Sequence, residues 1–255
     1  CMPTVGSNPT PSATRTMTTS SAPDGASRAD MYSSGEYLSH NPTWDAEQSG
    51  WKASQIAELC GEHGVRPSTC IEVGCGAGRI LAELRMRWTG CTFRGFDPSP
   101  VAIGLAASSP VEGVTYSVGT PAESDRADLV VCADVIEHVE DLFGFLRSLR
   151  RHGSYFVFHV PLDMNVPGIL FPSVIMRTRR DVGHLHYFGL ETALATLEST
   201  GYAVVASRVT AGGVAFPSPG IAGAVARVLR AVAHRLSPVW ASRLLGGFSL
   251  LVLAR

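Results

Sequence analysis

The sequence has little charge and almost no lysine. Charged residues make up 17% of the 255 residues, against about 25% in an average globular protein, and Lys52 is the only lysine. With 21 basic and 22 acidic side chains, the formal net charge is −1. Proteins that bind duplexes need a basic surplus to contact phosphates. We therefore expect no nucleic-acid partner and no polybasic membrane anchor.

The sequence also lacks paired cysteines and long apolar runs. Its six cysteines form no CxxC pair, and several fall in apolar runs, where free cysteine packs as a small hydrophobic side chain. This usage favours a reducing compartment over a disulfide framework. No apolar segment precedes a small-residue cleavage site, and the longest apolar stretch, residues 244–254, is about half the roughly 20 residues that span a bilayer. The sequence predicts a cytoplasmic protein without stable membrane insertion.

The first 30 residues differ in composition from the rest of the chain. They contain five serines, six threonines and four prolines, and they show no apolar periodicity. Such a segment buries too little apolar surface to offset the entropy of ordering, so residues 1–30 are predicted to be disordered. Residues 31–255 then form one domain, because a chain of this length supports a single full core.

From residue 45 the pattern alternates between apolar strands and short helices. A first helix is predicted up to residue 64. Strands follow over 69–74, 91–97, 114–118, 128–133, 154–160, 202–209 and 248–254, and helices over 77–88, 101–107, 142–151 and 191–200. Alternating strands and helices indicate βαβ units and a mostly parallel sheet. The nearly continuous apolar strands agree, because a parallel sheet is covered on both faces.

The strongest motif is the GCGAG segment at residues 74–78. It lies where the first strand turns into a helix, which is where open α/β sheets bind ligands. Glycines there permit a tight turn and close approach of a ligand. The spacing is GxGxG rather than the dinucleotide GxGxxG, because the sixth position is Arg79, and no GxxxxGK[ST] motif occurs.

Asp97 follows Gly74 by 23 positions, at the end of the second predicted strand. A carboxylate in that place can accept hydrogen bonds from both hydroxyls of a ribose. The alternative is a helix cap or turn residue ahead of Pro98.

With these features in register, the sequence resembles the class I S-adenosylmethionine (SAM)-dependent methyltransferases over about residues 32–255. Four segments carry the resemblance: EVGCGAGRI (72–80), GFDPSP (95–100), DLVVCADVIEHVED (128–141) and GHLHYFGLETALATLESTGY (183–202). The resemblance implies an α/β, Rossmann-like sheet of seven strands with helices on both faces. The implied strand order is 3-2-1-4-5-7-6, the last strand is antiparallel, and the methyl donor is SAM.

The resemblance also implies which residues bind the methionine and ribose parts of SAM. Gly74, Cys75 and Gly76 would pass beneath the methionine part, and Glu72 would support that turn from below. Asp97 would hold the ribose hydroxyls.

The adenine and the methyl group would lie against residues that follow the second, third and fourth strands. Pro98 would lie beside the adenine. Family members often have an acid after the third strand that contacts the adenine amino group. This chain has Thr120, Pro121 and Ala122 there, so that contact would come from Thr120 or from the backbone. Asp134 would lie close to the methionine end and the methyl group.

The methyl group of SAM is bound to a positively charged sulfur, so no protein nucleophile is needed. A base is needed where the acceptor must lose a proton, and histidine is the usual base at neutral pH. His186 and His184 precede the helix that leads into the sixth strand, and His186 is the preferred base. Alternatively, both histidines stabilise their loop through backbone hydrogen bonds.

Two carboxylate motifs leave alternatives open. Asp134, Glu137 and His138 form D-x-x-E-H, which is similar to the E-x-x-E-H metal triad of the ubiquinone-pathway O-methyltransferases. Two carboxylates and an imidazole can bind a divalent ion. The same E-H pair occurs in metal-free relatives, so we expect no metal. Asp163, after the fifth strand, either binds a polar acceptor or is an exposed turn residue.

A helical insertion is predicted over residues 212–247, between the sixth and seventh strands. Apolar residues recur at helical spacing over 221–236, and arginines are interspersed among them. We interpret the insertion as a lid over the acceptor site. The alternatives are a homodimer face and an interfacial membrane helix.

Taken together, these features predict a methyltransferase that transfers a methyl group from SAM to a small-molecule acceptor, most often at oxygen in this family. Biosynthetic, sugar or natural-product substrates are expected. One alternative is a SAM-binding protein of this fold with a cyclase-like or regulatory role. Another is an NAD(P)-linked oxidoreductase, against which the GxGxG spacing argues.

Overall fold

The apolar segments of the chain form the strands of one mixed sheet. The computed structural model describes residues 46–216 and 218–255. The strands are β1 (Thr69–Val73), β2 (Thr92–Asp97), β3 (Val114–Val118), β4 (Ala127–Ala133), β5 (Gly153–Pro161), β6 (Val204–Thr210) and β7 (Ser249–Ala254). They lie in the order β3-β2-β1-β4-β5-β7-β6.

One α-helix precedes β1, and the others lie in the connections between strands. They are α1 (Ala46–Glu62), α2 (Arg79–Arg87), α3 (Pro100–Ala107), α4 (Leu142–Leu149), α5 (Val166–Leu170), α6 (Pro172–Asp181), α7 (Leu190–Ser199), α8 (Gly212–Ala215), α9 (Gly220–Leu236) and α10 (Pro238–Leu244). A short 3-10 helix, Arg150–His152, links α4 to β5.

The first five strands pair in parallel, and β7 runs antiparallel between β5 and β6. The sheet therefore has the predicted Rossmann-like order with an antiparallel last strand. Parallel strands place their carboxyl ends on one edge, so residues that follow β1, β2, β4 and β5 converge there.

Apolar layers cover both faces of the sheet. Along β4, Val130 and Cys132 point into one layer with α4 and α7, and Leu129 and Val131 point into the other with α1 and α2. This alternation follows the two-residue period of a strand. Each of the five cysteines that the structure describes is buried.

The predicted elements agree with the structure to within two residues at each end. The largest shifts have local causes. Helix α2 begins at Arg79 because its N-cap, Gly78, has a left-handed backbone with φ 71°. Strand β6 begins at Val204 because Tyr202 is buried beside Phe156 and donates a 2.8 Å hydrogen bond to the carbonyl of Leu146.

Helices α5 and α6 were not predicted, and they occupy the loop after β5. Pro167 and Pro172 in this segment argue against a helix when the sequence is read alone. Both lie in the first turn of a helix, α5 or α6, where a backbone N–H would have no intrahelical partner, so proline is tolerated there. The side chain of Asn165 caps α5 by accepting a 3.1 Å hydrogen bond from the amide of Gly168.

The predicted insertion between β6 and β7 is helical and consists of α8, α9 and α10. No helix among residues 46–216 and 218–255 has both the length and the hydropathy needed to cross a membrane. The predicted disorder of residues 1–30 lies outside the described residues.

We predict that β7 is central to stability. Leu250 of β7 is 1% exposed, so Leu250→Ala should lower the free energy of unfolding by about 2–5 kcal/mol through lost burial and a residual cavity. Val205 of neighbouring β6 is 40% exposed, and Val205→Ala should cost less than about 1 kcal/mol. Urea unfolding would measure both, and equal losses would contradict this placement of the core.

Candidate functional site

The turn after β1 requires glycine for conformation and for space. Gly74 and Gly78 have φ of 75° and 71°, in the left-handed region. A Cβ atom at Gly74 would lie 2.3 Å from Cγ2 of Val135, and one at Gly78 would lie 2.4 Å from Cε1 of Tyr116. Glycine therefore lets the turn adopt this conformation and pack closely against Val135 and Tyr116 at the edge of the sheet.

Asp97 fixes this turn to the end of β2. One oxygen of its carboxylate accepts a 2.9 Å hydrogen bond from the amide of Gly76, and the other accepts a 2.8 Å bond from the amide of Ser99. Burial raises the pKa of Asp97, and these two amide bonds oppose the shift. Each oxygen keeps a second lone pair that could accept a ribose hydroxyl. Asp97 thus stabilises the turn through its side chain, as the alternative interpretation of the sequence expects, and it could also bind a ribose.

Glu72 lies in β1, two residues before Gly74, and its support of the turn remains a prediction. Its side chain is buried, and Oε2 has no hydrogen-bond partner among the residues that the structure describes. Burial raises its pKa well above the usual value, Asp97 adds to the shift, and Lys52 opposes it. The neutral acid is the favoured form, because a charged carboxylate is costly in this environment.

Asp134 follows β4 and has the opposite electrostatic character. Its Oδ2 lies 2.6 Å from Nζ of Lys52, and its Oδ1 accepts a 2.8 Å hydrogen bond from Nδ1 of His159. Burial alone would raise the pKa of Asp134, but Lys52 and His159 outweigh it and hold the pKa well below its usual value. Asp134 has φ of 54°, a conformation that costs a non-glycine residue about 1–3 kcal/mol and is concentrated at functional sites.

Lys52, His159 and Thr210 are site residues that the sequence reasoning missed. Nε2 of His159 lies 3.2 Å from Oγ1 of Thr210, and the ring of Trp51 meets the His159 ring edge-on at 6.2 Å. Two sequence signals were available. Lys52 is the single lysine among many arginines, and His159 is a polar residue in the apolar strand SYFVFHV.

The residues predicted for the adenine lie beside Asp97. The amide of Gly119 donates a 2.8 Å hydrogen bond to the carbonyl of Asp97, which brings the chain after β3 to the end of β2. Pro98, Thr120 and Ala122 are exposed there, and Pro121 is half-buried. Their adenine contact remains a prediction.

The two histidines proposed as bases lie in different surroundings. Nε2 of half-buried His186 donates a 2.8 Å hydrogen bond to the carbonyl of Val139. His184 is buried, and its Nδ1 lies 2.6 Å from Oδ2 of Asp163. The structure therefore brings His184 and Asp163 together. His186 makes a hydrogen bond to the backbone, which is the contact expected if it stabilises its loop.

Glu137, His138 and His184 form a cluster beside Asp163. One ligand atom from each lies within 4.8 Å of the others, which is close enough to hold an ion. Both Glu137 oxygens are buried without a hydrogen-bond partner among the described residues. Burial, with a smaller contribution from His184, lowers the pKa of His138 to about 4. Asp134 is turned away to Lys52, so the D-x-x-E-H residues do not assemble as one triad; that no metal binds remains a prediction.

We predict that Glu72 makes the protein less stable as pH rises. An acid whose pKa is raised by folding contributes stability below its unfolded pKa of about 4.3 and loses it as pH rises toward the folded pKa. Glu72→Gln keeps the shape and removes the titration. Its unfolding free energy relative to the wild type should increase from pH 5 to pH 8 in urea titrations. A difference that does not change with pH would contradict the buried, unpaired state of Glu72.

Comparisons with known proteins identify the family of this chain. A family model described as a methyltransferase domain matches residues 47–207. A ubiquinone biosynthesis O-methyltransferase of Methylobacterium sp. (strain 4-46) is 35% identical over 99 residues, which are 34% of this chain and 39% of that protein. A trans-aconitate 2-methyltransferase of Mycolicibacterium gilvum is 26% identical over 141 residues, 54% of this chain and 55% of that protein.

A solved structure shows the same fold. The N-methyltransferase NodS of Bradyrhizobium japonicum WM9, in complex with S-adenosyl-L-homocysteine, has a TM-score of 0.51 at 18% identity, covering 80% of this chain and 85% of its own. The matches to the two curated relatives span between two fifths and just over half of their lengths. Because the family model covers most of the described chain, this protein belongs to the class I SAM-dependent methyltransferases, and SAM is the methyl donor of its family.

Proposed function

We propose that this protein transfers the methyl group of SAM to an oxygen atom of a small-molecule acceptor. The observation that carries the proposal is the pairing of a bare glycine turn with Asp97, whose two oxygens are aimed by the amides of Gly76 and Ser99. Oxygen is favoured because a relative is named as an O-methyltransferase. We also propose a cytoplasmic location, and a homodimer remains an alternative role for the insertion.

The residues at the sheet edge fit SAM. When bound, SAM supplies a methyl group on a positively charged sulfur. A side chain at Gly74 or Gly78 would collide with Val135 or Tyr116 and displace the turn against which its methionine part would lie. Asp97 would hold the ribose through the free lone pairs of its carboxylate, and Pro98 and Thr120 would flank the adenine at the ends of β2 and β3.

Lys52 and Asp134 would recognise the charged end of the donor. The methionine part of SAM carries an ammonium and a carboxylate. Asp134 would offer a negative charge to the ammonium, and Lys52 would offer a positive charge to the carboxylate. The lowered pKa of Asp134 keeps its carboxylate ionised, so it can accept from an ammonium. His159 holds Asp134 in place through its 2.8 Å hydrogen bond.

His184 is the base that the geometry favours, in preference to His186. Its Nδ1 donates to Asp163, so the neutral ring carries its lone pair on Nε2, the tautomer that can accept a proton. Asp163 would position the ring, as the carboxylate of an acid–histidine pair does in other enzymes. Asp163 thereby gains a role as a positioning residue in place of binding the acceptor.

The helical insertion would cover the acceptor. Helix α10 packs on α5, and Arg243 of α10 forms an ion pair with Glu191 at the start of α7. Both neighbours adjoin the loops that carry Asp163 and His184. A closed lid excludes water and holds the acceptor in line with the methyl carbon and sulfur.

We predict that Asp97→Ala weakens SAM binding about 100-fold or more. The variant would lose the two proposed charge-assisted hydrogen bonds to the ribose hydroxyls, each of about 1.5–3 kcal/mol. It would also lose the amide contacts of Gly76 and Ser99 that orient the carboxylate. Isothermal titration calorimetry would measure Kd for SAM and for NAD, and Glu123→Gln on the exposed loop after β3 is the matched control. Circular dichroism would show that the variant remains folded. Unchanged SAM affinity, or preferential binding of NAD, would contradict the proposed donor site.

We predict that His184→Ala lowers kcat by about 100- to 10,000-fold and leaves Kd for SAM unchanged, because a lost general base affects only the chemical step. Asp163→Asn should lower kcat less, and His186→Ala should retain most activity. Radiolabelled SAM with a panel of phenols, carboxylates and sugars would supply the assay.

The same assay separates the alternatives. Loss of activity in His186→Ala but not in His184→Ala would reverse the assignment of the base. Activity lost after EDTA treatment and restored by Mg²⁺ would make Glu137, His138 and His184 metal ligands. SAM binding without transfer to any acceptor would favour the regulatory or cyclase-like alternative.

A further inference from the structure

Helix α9 carries an apolar stripe that faces away from the rest of the described protein. The stripe residues recur at intervals of three and four, so they share one face of the helix. They are Ile221, Val225, Val228, Leu229, Val232 and Leu236, and the two end residues are 85% and 81% exposed. The opposite face packs inward, where Arg230 and His234 donate to the carbonyls of Gly246 and Val209.

Exposed apolar side chains continue onto neighbouring helices. Trp240 and Leu244 of α10 are exposed, and so are Ile169, Leu170 and Phe171 at the end of α5, which contacts α10. We call the α9 stripe and these five residues the insertion surface. Exposed apolar side chains gathered in this way mark an interaction site.

The segments that carry the insertion surface have a surplus of positive charge. Residues 164–181 and 211–247 contain one acidic residue, Asp181, and seven arginines: Arg177, Arg179, Arg180, Arg227, Arg230, Arg235 and Arg243. Arg230 faces inward to Gly246 and Arg243 pairs with Glu191, so five of these arginines carry the surplus. The whole chain has 21 basic and 22 acidic residues, so its near-neutral balance conceals this local surplus. An apolar stripe flanked by arginine matches the boundary between acyl chains and anionic headgroups. A second copy would bring the same positive charges together, which opposes a symmetric dimer through this surface.

A cleft of about 740 Å³ connects the insertion to the proposed site. Arg227 and Val239 lie at its insertion side, and Trp51 and Thr210 line its inner side. Thr210 contacts His159, which is hydrogen-bonded to Asp134. The cleft is therefore lined by the inward face of α9, which carries His234, and it leads toward the end of β4. The volume is in the range of ligand pockets, about 300–1,000 Å³.

We propose that the insertion surface docks on the surface of an anionic lipid bilayer. The stripe of α9 would enter the region between headgroups and acyl chains, and the arginines would contact lipid phosphates. Docking of this kind does not require a membrane-spanning helix. The proposal goes beyond methyl transfer and does not depend on it, because it concerns where the protein resides when it acts.

Sedimentation with lipid vesicles tests this proposal on the full chain, without SAM. Vesicles of phosphatidylglycerol and phosphatidylcholine should bind the protein at least tenfold more strongly than vesicles of phosphatidylcholine alone. The double variant Val228→Glu/Val232→Glu should bind at least tenfold more weakly than the wild type. The matched control, Met86→Glu/Val205→Glu, adds the same charges at exposed positions outside the surface and should bind as the wild type does.

Three outcomes would overturn the proposal. The wild type could fail to bind anionic vesicles, or the double variant could bind them as well as the wild type. Equilibrium sedimentation could also show a dimer that the double variant dissociates, which would make the surface an interface between copies. Calorimetry with SAM on both variants separates these results from a failure of the proposed function, since the surface lies apart from Asp97 and the glycine turn.

Discussion

Four carboxyl groups lie at the edge of the sheet where the parallel strands end, and the rest of the site depends on how each negative charge is balanced. Asp97 is balanced by two backbone amides, and Asp134 by Lys52 and His159. Within residues 46–216 and 218–255, Oε2 of Glu72 and both oxygens of Glu137 have no hydrogen-bond partner, and burial raises both pKa values. Burial raises the pKa values of Asp97, Glu72 and Glu137, whereas Lys52 and His159 lower that of Asp134, and this contrast gives the site its electrostatic pattern.

The parts of this site that depend on local sequence could be predicted. The glycine turn and Asp97 follow from chemistry within a few residues of β1 and β2, and the sheet order follows from the resemblance. Lys52 and His159 stand out in the sequence, but their pairing with Asp134 joins residues that are distant in the chain and is visible only in the fold. The preference for His186 over His184 had the same weakness, since the Asp163 contact is visible only in the fold.

The helical insertion shows how an average over the chain can mislead. The net charge of −1 argues against a polybasic membrane anchor, yet residues 164–181 and 211–247 contain seven arginines and one aspartate. Helix α5 contributes Ile169 and Leu170 to that surface, and the prolines at the starts of α5 and α6 concealed both helices in the sequence. Burial patterns on α9 decide which face is apolar and exposed, and no composition value contains that information.

A crystal structure of the protein with S-adenosylhomocysteine would test the donor site most directly. We expect both ribose hydroxyls within hydrogen-bond distance of the Asp97 carboxylate, with the amino-acid end of the ligand between Gly74 and Asp134. A ligand bound elsewhere, or one whose ribose has no contact with Asp97, would contradict the proposed site.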